Sequence, residues 1–253
     1  MINDSQKSPK FSVITVCFNA LSVIQETYES LRLQTSSNYE WIVIDGASSD
    51  GTKEWVAERR PDVFFSEPDR GIYDAMNKAL RFVRGEYVFF LNAGDRFSDG
   101  QVLSDIEAEL DSRLEAVDVL YGDVVYFGSD GSRRKRFNWL TRSRLVYGDL
   151  CHQATFVRFD LFKKFGCFDL AYRYNADFDW LLRVFKGGSI LCYINRDIVL
   201  FHDAGAHVMA GDKCLNERNI VRFRHCGRLR WFVGHWFLRI ELKVRRLCGQ
   251  DVG

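Results

Sequence analysis

The chain has 253 residues, 47% of them hydrophobic, and a formal net charge of +1. That length and apolar content suffice for a full core, in one large domain or one domain with an appendage, and exclude a chain that is mostly disordered tail. A net charge this close to zero excludes a general attraction of the whole molecule for nucleic acid or lipid, so any basic surface must be local.

The polar start MINDSQKSPK is expected to be disordered over residues 1–10 and lacks the apolar stretch of a secretory signal. The segment FSVITVCF is apolar and β-branched and predicts a buried strand. After Asn19, a residue suited to cap a helix, Leu21, Ile24, Tyr28 and Leu31 recur at helical spacing. WIVIDGASSDGTKEWVAE repeats the plan, with a strand at Trp41 to Ile44, a polar turn, and a helix that Ser49 or Asp50 can cap. VFFSEP predicts a short third strand stopped by Pro68, and in DRGIYDAMNKALRFVRG the residues Ile72, Met76, Ala79, Leu80 and Val83 share a helix face that Gly85 ends. EYVFFLNAGD gives the next strand. The alternation predicts an α/β fold of Rossmann-like type, a mainly parallel sheet with helices on both faces. Seven scattered cysteines, Cys17, Cys151, Cys167, Cys192, Cys214, Cys226 and Cys248, form no Cys-x-x-Cys pair and read as reduced thiols. With no run near the roughly 18 apolar residues of a membrane span, the expectation is a cytoplasmic protein.

Ligands of such sheets bind at the C-terminal ends of the strands, where Asp45, Asn92 and Asp95 converge. Asp and Asn are common in turns because they satisfy nearby amides. Two converging carboxylates, however, call for a cation, and hard Mg2+ or Mn2+ held by one or two carboxylates and phosphate oxygens suits them.

SVITVCFNA, WIVIDGASSDGT, EPDRGIYDAMNKAL and GEYVFFLNAGD, in that order and spacing, closely resemble the N-terminal half of family 2 glycosyltransferases with the GT-A fold, in the bacterial branch that builds surface and capsular polysaccharides. Thinner motifs continue to about Gly211. The resemblance implies a nucleotide-diphospho-sugar donor, with base and ribose held near Val16, Phe18 and Asp45. The family's pattern has two adjacent acids where this chain has Asp45-Gly46, which leaves guanine or thymine nucleotides open beside uracil. FLNAGD corresponds to the family's acidic metal motif, which makes Asp95 the implied metal ligand and Asn92 a neutral helper on the donor side. A divalent ion there stabilises charge on the departing nucleoside diphosphate. Arg70, at the start of a helix with free amides, suits a diphosphate, or is a solvated capping partner of Asp69. Asn77 and Lys78 read as an exposed helix face, and Tyr73 and Asp74 are distinctive without an assignable role.

VDVLYGDVVYFGSDGSRRKRFNW predicts a strand and hairpin turning at Asp130-Gly131, with a basic cluster from Arg133 to Arg136 that reads as a solvated face. In CHQATFVRFDLFKKFGCFD the resemblance places His152 and Gln153 at the acceptor side. YNADFDWLLRVF sets Asp177 and Asp179 at a helix start; the family's acidic pair falls on Ala176-Asp177, which makes Asp177 the implied general base and Asp179 a cap or a group on the sugar side. Direct displacement would invert the anomeric centre. In LFHDAGAHVMAGD, His202 or His207 is a candidate contact for metal or phosphate, or a structural histidine.

The C-terminal stretch mixes Arg218, Arg222, Arg224, Arg228, Arg230, Arg239, Arg245 and Arg246 with Trp231, Phe232, Trp236, Phe237 and Leu238. It suits an interfacial helix on an anionic membrane surface, or a helix packed on the domain with its arginines in water. Single-stranded nucleic acid is disfavoured because the rest of the chain offers no groove for it. The expected organisation is a GT-A domain over residues 11–212, with 11–100 the nucleotide-sugar half and 101–212 the acceptor half, and a basic aromatic helical segment over 213–253. The expected function is an inverting, metal-dependent hexosyl transfer to a glycan or polyprenyl-diphosphate-linked acceptor, peripheral on the inner face of a bacterial membrane. The alternatives are a sugar nucleotidyltransferase, which would release pyrophosphate and need no acceptor base, and a non-catalytic nucleotide-sugar-binding protein.

Overall fold

The computed structural model describes residues 8–128, 131–140, 144–145, 150–202, 211–227, 234 and 236. Three βα units open the chain. They are β1 (Phe11–Cys17) with α1 (Leu21–Arg32), β2 (Tyr39–Asp45) with α2 (Thr52–Glu58), and β3 (Val63–Ser66) with α3 (Ile72–Ala79). β4 (Tyr87–Phe90), β5 (Arg96–Phe97) and α4 (Val102–Asp111) complete the first half. β1 pairs in parallel with both β2 and β4, and β2 with β3, so the order β3-β2-β1-β4 brings the C-terminal ends of these strands to one edge. β1 is buried along its whole length, as expected of a mostly apolar strand covered on both faces, and its two polar residues are bonded inside, Ser12 to Glu40 and Thr15 to Trp41.

The second half extends the same sheet. β6 (Val119–Gly128), β7 (Gly131–Lys135), β8 (Thr155–Arg158) and β9 (Leu191–His202) give the order β4-β8-β6-β9-β5, with β7 paired to β6. Here β8 runs antiparallel to β4 and β6, while β6 and β9 are parallel. The sheet is therefore parallel from β1 to β4 and mixed beyond them, with β5 antiparallel to β9. β8 welds the halves together: Phe156 stacks on Phe89 of β4 at 4.3 Å between ring centroids and meets Phe11 of β1 edge-on at 5.4 Å. The helices α5 (Asp160–Phe165), α6 (Ala176–Lys186) and α7 (Asp212–Cys226) follow, with Phe162 stacked on Trp180 at 4.2 Å to join α5 to α6.

Three sequence expectations change. Asn19 is not the cap of α1. It sits at φ 47°, and its Oδ1 accepts from the Ser49 amide at 2.9 Å. The first amides of α1 go instead to residues of the next unit, Ala20 N to Thr52 Oγ1 at 2.9 Å and Leu21 N to Asp50 Oδ2 at 3.0 Å. Asp50 Oδ1 also accepts from Thr52 N at the start of α2, so one carboxylate serves two helix beginnings. The basic hairpin is not wholly a solvated face, because Arg134 pairs inward with Asp197 at 2.6 Å and with the fully buried Asp123 at 3.2 Å.

Asn77 and Lys78 are not an exposed face either. Asn77 Nδ2 donates to Phe168 O at 2.9 Å and its Oδ1 accepts from Phe168 N at 3.0 Å, while Lys78 Nζ reaches Pro68 O at 2.7 Å and Glu67 at 2.9 Å. Asn77 thus supplies both hydrogen bonds of one backbone residue 91 positions away. Asn77→Ala would leave both backbone groups unpaired and is expected to destabilise the protein by roughly 2–3 kcal/mol. A denaturant midpoint within error of the wild type would refute that.

Candidate active site

The edge formed by β1, β2 and β4 carries the nucleotide side. Cys17 and Asp45 are register partners, Gly46 N donates to Cys17 O at 2.8 Å, and Ala93 N donates to Val16 O at 3.2 Å. Val16, Phe18, Asp45 and Asn92 therefore share one edge, as the sequence expects. Val16 is buried beneath it, whereas Phe18 is 64% exposed and offers a ring to a planar ligand. Asp45 has no accessible surface. Its oxygens accept from Ser48 N at 2.9 Å, from Ser66 Oγ at 2.7 Å and from Ser48 Oγ, so in this state it holds the loop that follows β2. Gly46 has no room for a side chain, since a Cβ there would fall 2.6 Å from Asp69 Oδ2 and 3.2 Å from Phe18 Cδ2. The Asp69 carboxylate thus stands in front of Gly46, beside Phe18, a placement that sequence spacing did not show.

The start of α3 is not an open set of amides. Asp74 Oδ2 accepts from Arg70 N at 3.0 Å and Asp69 Oδ1 from Gly71 N at 2.8 Å. The Arg70 guanidinium projects outward, 3.5 Å from Asp74 Oδ1. An anion near this turn would meet the Arg70 side chain, with two of the local amides already taken.

The second half brings Asp177 to His152. This residue opens a 3-10 turn, His152–Ala154, that leads into the largely buried β8. Its Nδ1 lies 2.5 Å from Asp177 Oδ2. The other oxygen, Oδ1, takes a hydrogen bond from the Tyr73 hydroxyl at 2.7 Å, and that hydroxyl is also 2.9 Å from Tyr174 O. Tyr73 is buried, and burial together with the charge of Asp177 pushes its phenol well above its ordinary pKa, so it is a donor at all working pH values. Asp177 is the second residue of α6, near the positive end of the helix dipole. The Asp95 carboxyl also feels His152. Burial raises the Asp95 carboxyl to about 7, against the lowering influence of His152 and of the Asn92 amide. His152 thus stands electrostatically between the two acids that the resemblance singles out.

Gln153 is buried next to it and accepts from Cys151 Sγ at 2.8 Å. A cavity of about 300 Å³ opens here, lined by His152, Gln153, Asp177, Tyr126, Leu215 and Arg218 among others. Asp179 does not face it. Its side chain turns to α7, with Oδ2 2.9 Å from Arg183 Nε and Oδ1 2.8 Å from His225 Nε2. Burial alone would raise the Asp179 carboxyl, but His225 and Arg183 hold it below the usual range. The placement on the sugar side is corrected accordingly: two positions beyond Asp177, the helix points this carboxylate at other elements. His202 closes β9 in register with Phe127, and His207 lies outside the described residues.

The model of "Glycosyl transferase family 2" matches residues 12–165. The chain belongs to this family. An uncharacterized glycosyltransferase of Mycobacterium tuberculosis is 35% identical over 185 residues, which cover 70% of this chain and 69% of that protein. A PGL/p-HBAD biosynthesis glycosyltransferase of Mycobacterium bovis is 29% identical over 208 residues, 78% of each chain. Among solved structures, S. aureus TarS 1-349 in complex with UDP-GlcNAc has a TM-score of 0.71 at 20% identity, over 84% of this chain. The mannosyltransferase PcManGT of Pyrobaculum calidifontis, in complex with GDP-Man and Mn2+, has 0.67 at 19% identity, over 87%. The chain spans 65% and 64% of those two structures' lengths, and at such identities they establish the shared GT-A fold.

A family 2 glycosyltransferase of this fold raises the question of a divalent cation. Among the described residues no three His, Cys, Asp or Glu side chains converge on one point. Asn92 Oδ1, however, is buried and has no hydrogen-bond partner among them, on the same turn as the buried Asp95 carboxylate, whose amide donates to Asn92 O at 2.9 Å. One carboxylate and one spare amide oxygen are hard donors suited to Mg2+ or Mn2+, provided that diphosphate oxygens complete the shell. The residues present fit such an ion.

The site also shows what sequence spacing missed. Tyr73 and Asn77, one turn apart on α3, reach Asp177 and Phe168 in the second half, so this helix ties the nucleotide side to the acceptor side. Arg218, Arg222 and Arg224, counted in the sequence toward a lipid-facing helix, engage the domain instead: Arg218 Nε donates to Asn175 at 2.8 Å, Arg222 is buried 5.6 Å over the Phe178 ring, and Arg224 Nη1 donates to Tyr172 Oη at 2.9 Å. The described part of that segment is anchored on the domain through these arginines and the buried Val221, while Leu215, Ile220 and Trp236 are more than half exposed. Its remaining arginines, from Arg228 onward, lie outside the described residues.

Proposed function

We propose that the protein is an inverting, divalent-cation-assisted glycosyltransferase that moves one hexosyl unit from a nucleoside-diphosphate sugar to a hydroxyl of a growing bacterial surface glycan. The observation that carries this reading is Asp177, fixed by Tyr73 and His152 and lining one cavity with His152 and Gln153. A carboxylate oxygen carries two lone pairs, so Asp177 can take a proton from an acceptor hydroxyl while its neighbours fix its direction. As that O–H bond breaks, the oxygen bonds to the anomeric carbon and the sugar–phosphate C–O bond leaves with its electron pair on the diphosphate. A cation held at Asp95 and Asn92 would supply positive charge to that diphosphate. Phe18 and Asp69 offer a ring and a carboxylate to the base, with Val16 and Asp45 supporting them, and Arg70 meets the diphosphate from the loop. His152 and Gln153 line the acceptor side. His202 is proposed as a further cation or phosphate contact on the sequence resemblance alone.

Among the described residues no helix is long and apolar enough to cross a membrane. A lipid-diphosphate-linked acceptor, met on an anionic membrane surface, is proposed from the basic aromatic composition of the C-terminal stretch. Calorimetric titration of UDP-, GDP- and dTDP-sugars with and without Mn2+ tests the donor side, and salt-sensitive sedimentation with anionic vesicles tests the membrane side. One nucleotide bound in a Mn2+-dependent way is expected. Folded protein that binds none of them, with or without vesicles, would reject the reading.

A further inference from the structure

The helix that carries Asp177 does not cap itself. Asn175 occupies the N-cap position of α6 without making a side-chain capping bond. Its side chain is turned away, with Nδ2 donating to Cys214 O at 3.0 Å and Oδ1 accepting from Arg218 Nε at 2.8 Å. Both partners belong to α7. The three residues leading into α6 present consecutive amides to a single carboxylate on the same distant helix: Glu217 Oε2 accepts from Arg173 N at 2.9 Å, and Oε1 from Tyr174 N and Asn175 N at 2.7 Å each. Asn175 has no accessible surface, so water cannot replace these bonds at its amide.

We infer that Glu217 is a positioning residue for the transfer reaction, a remote cap through which α7 holds the start of α6 and aims Asp177 at His152 and Tyr73. The inference rests on the reading of Asp177 as the proton acceptor. Its physical basis is the local chain of contacts. The Glu217 carboxylate fixes the peptide planes of residues 173–175 through charge-assisted bonds and places negative charge at the N-terminal end of α6. Tyr174, held by Glu217 through its amide, is in contact through its carbonyl with the hydroxyl of Tyr73, which in turn donates to Asp177. Asp177 lies two residues beyond the clamped Asn175, too few to absorb a change in the entry of the chain. Misplacement of about 1 Å at a catalytic group is enough to cost on the order of a hundredfold in rate. A second set of contacts, His225 on Asp179 and Lys186 on His225 O, ties the rest of α6 to α7, so the clamp at Glu217 acts on the entry of the helix rather than on its docking as a whole.

The test uses the full chain and needs no identified acceptor. The ring nitrogens of His152, read by NMR through its carbon-bound ring protons, report whether Nδ1 still faces Asp177, and Asp177→Ala supplies the reference for a broken pair. Glu217→Ala is expected to move these shifts most of the way to that reference. It should also lower donor hydrolysis, with water as acceptor, at least tenfold, while nucleoside-diphosphate affinity in Mn2+ stays within about twofold. Glu217→Gln keeps the shape and the Oε1 acceptor but turns an NH2 toward the Arg173 amide, and should fall between wild type and alanine. It also carries the test if the alanine variant does not fold. Wild-type ring shifts in folded Glu217→Ala and Glu217→Gln would overturn the inference, as would shifts that glutamine does not partly restore. The ring comparison involves no substrate, so it decides the clamp separately from the nucleotide titration, which decides the transferase reading.

Discussion

Asp177→Asn is expected to lower sugar transfer by 10²- to 10⁴-fold and to leave nucleotide-sugar affinity within about twofold, the range expected when a general base is lost without loss of binding. The substitution is nearly isosteric. The introduced amide oxygen can still accept from the Tyr73 hydroxyl, and the amide NH2 can face His152 Nδ1 once that ring nitrogen acts as acceptor. The packing of α6 is therefore kept while the group that takes the proton is gone. Single-turnover release of nucleoside diphosphate measures the first effect and calorimetry the second. A normal rate in the folded variant would sink the base assignment. A donor affinity that fell in step with the rate would instead place Asp177 on the donor.

The parts of this molecule that were legible in the sequence are those written locally. β1 and β2 are mostly apolar and β-branched or aromatic, and segments of that kind suit inner strands of a covered sheet. The shared edge of Asp45 and Asn92 followed from the same logic, since strand ends of a parallel sheet lie together, but the Asp45 carboxylate is turned to Ser48 and Ser66. Asp177 was readable because its motif opens a helix and the resemblance gave the pair a role. What escaped reading was written in distant partners. Asn19 has the composition of a helix cap, yet its side chain is taken by Ser49, and the capping is done by Asp50 and Thr52 some 30 residues on. Tyr73 meets Asp177 across 104 residues, and Glu217 meets Asn175 across 42. No helical or strand period links such positions, and an exposed-face pattern like Asn77-Lys78 is indistinguishable in sequence from one that bonds another backbone. Asp179 failed for a related reason: two acids in one helical turn point in directions about 200° apart, so only one could face the cleft.

Asp95→Asn is expected to make the cation-free protein more stable at pH 8 and to abolish the Mn2+-dependent part of nucleotide binding. The stability sign follows from the carboxyl's pKa of about 7 in the folded protein, raised by burial from an unfolded value near 3.9. Between about pH 4 and pH 7 the folded state holds a proton that the unfolded state has released. Stability therefore falls as pH rises through that window, and above it the full cost persists. At about 1.4 kcal/mol per pH unit, a shift of this size corresponds to roughly 4 kcal/mol, which asparagine removes because it has no charge to bury. The thermal midpoints of variant and wild type should then coincide near pH 4 and separate by pH 8, with the variant higher. A divalent cation with nucleoside diphosphate relieves the same cost by supplying the missing counter-charge, so ligand should raise the wild-type midpoint at pH 8 well beyond that of the variant. A variant less stable than wild type at pH 8 without ligand would mean that the Asp95 charge is already well compensated inside the protein, and the case for a cation at this turn would fall with it. The buried carboxylate is costly in the free protein for the same reason that it is useful in the complex: the fold leaves its charge unbalanced until a ligand of opposite sign arrives.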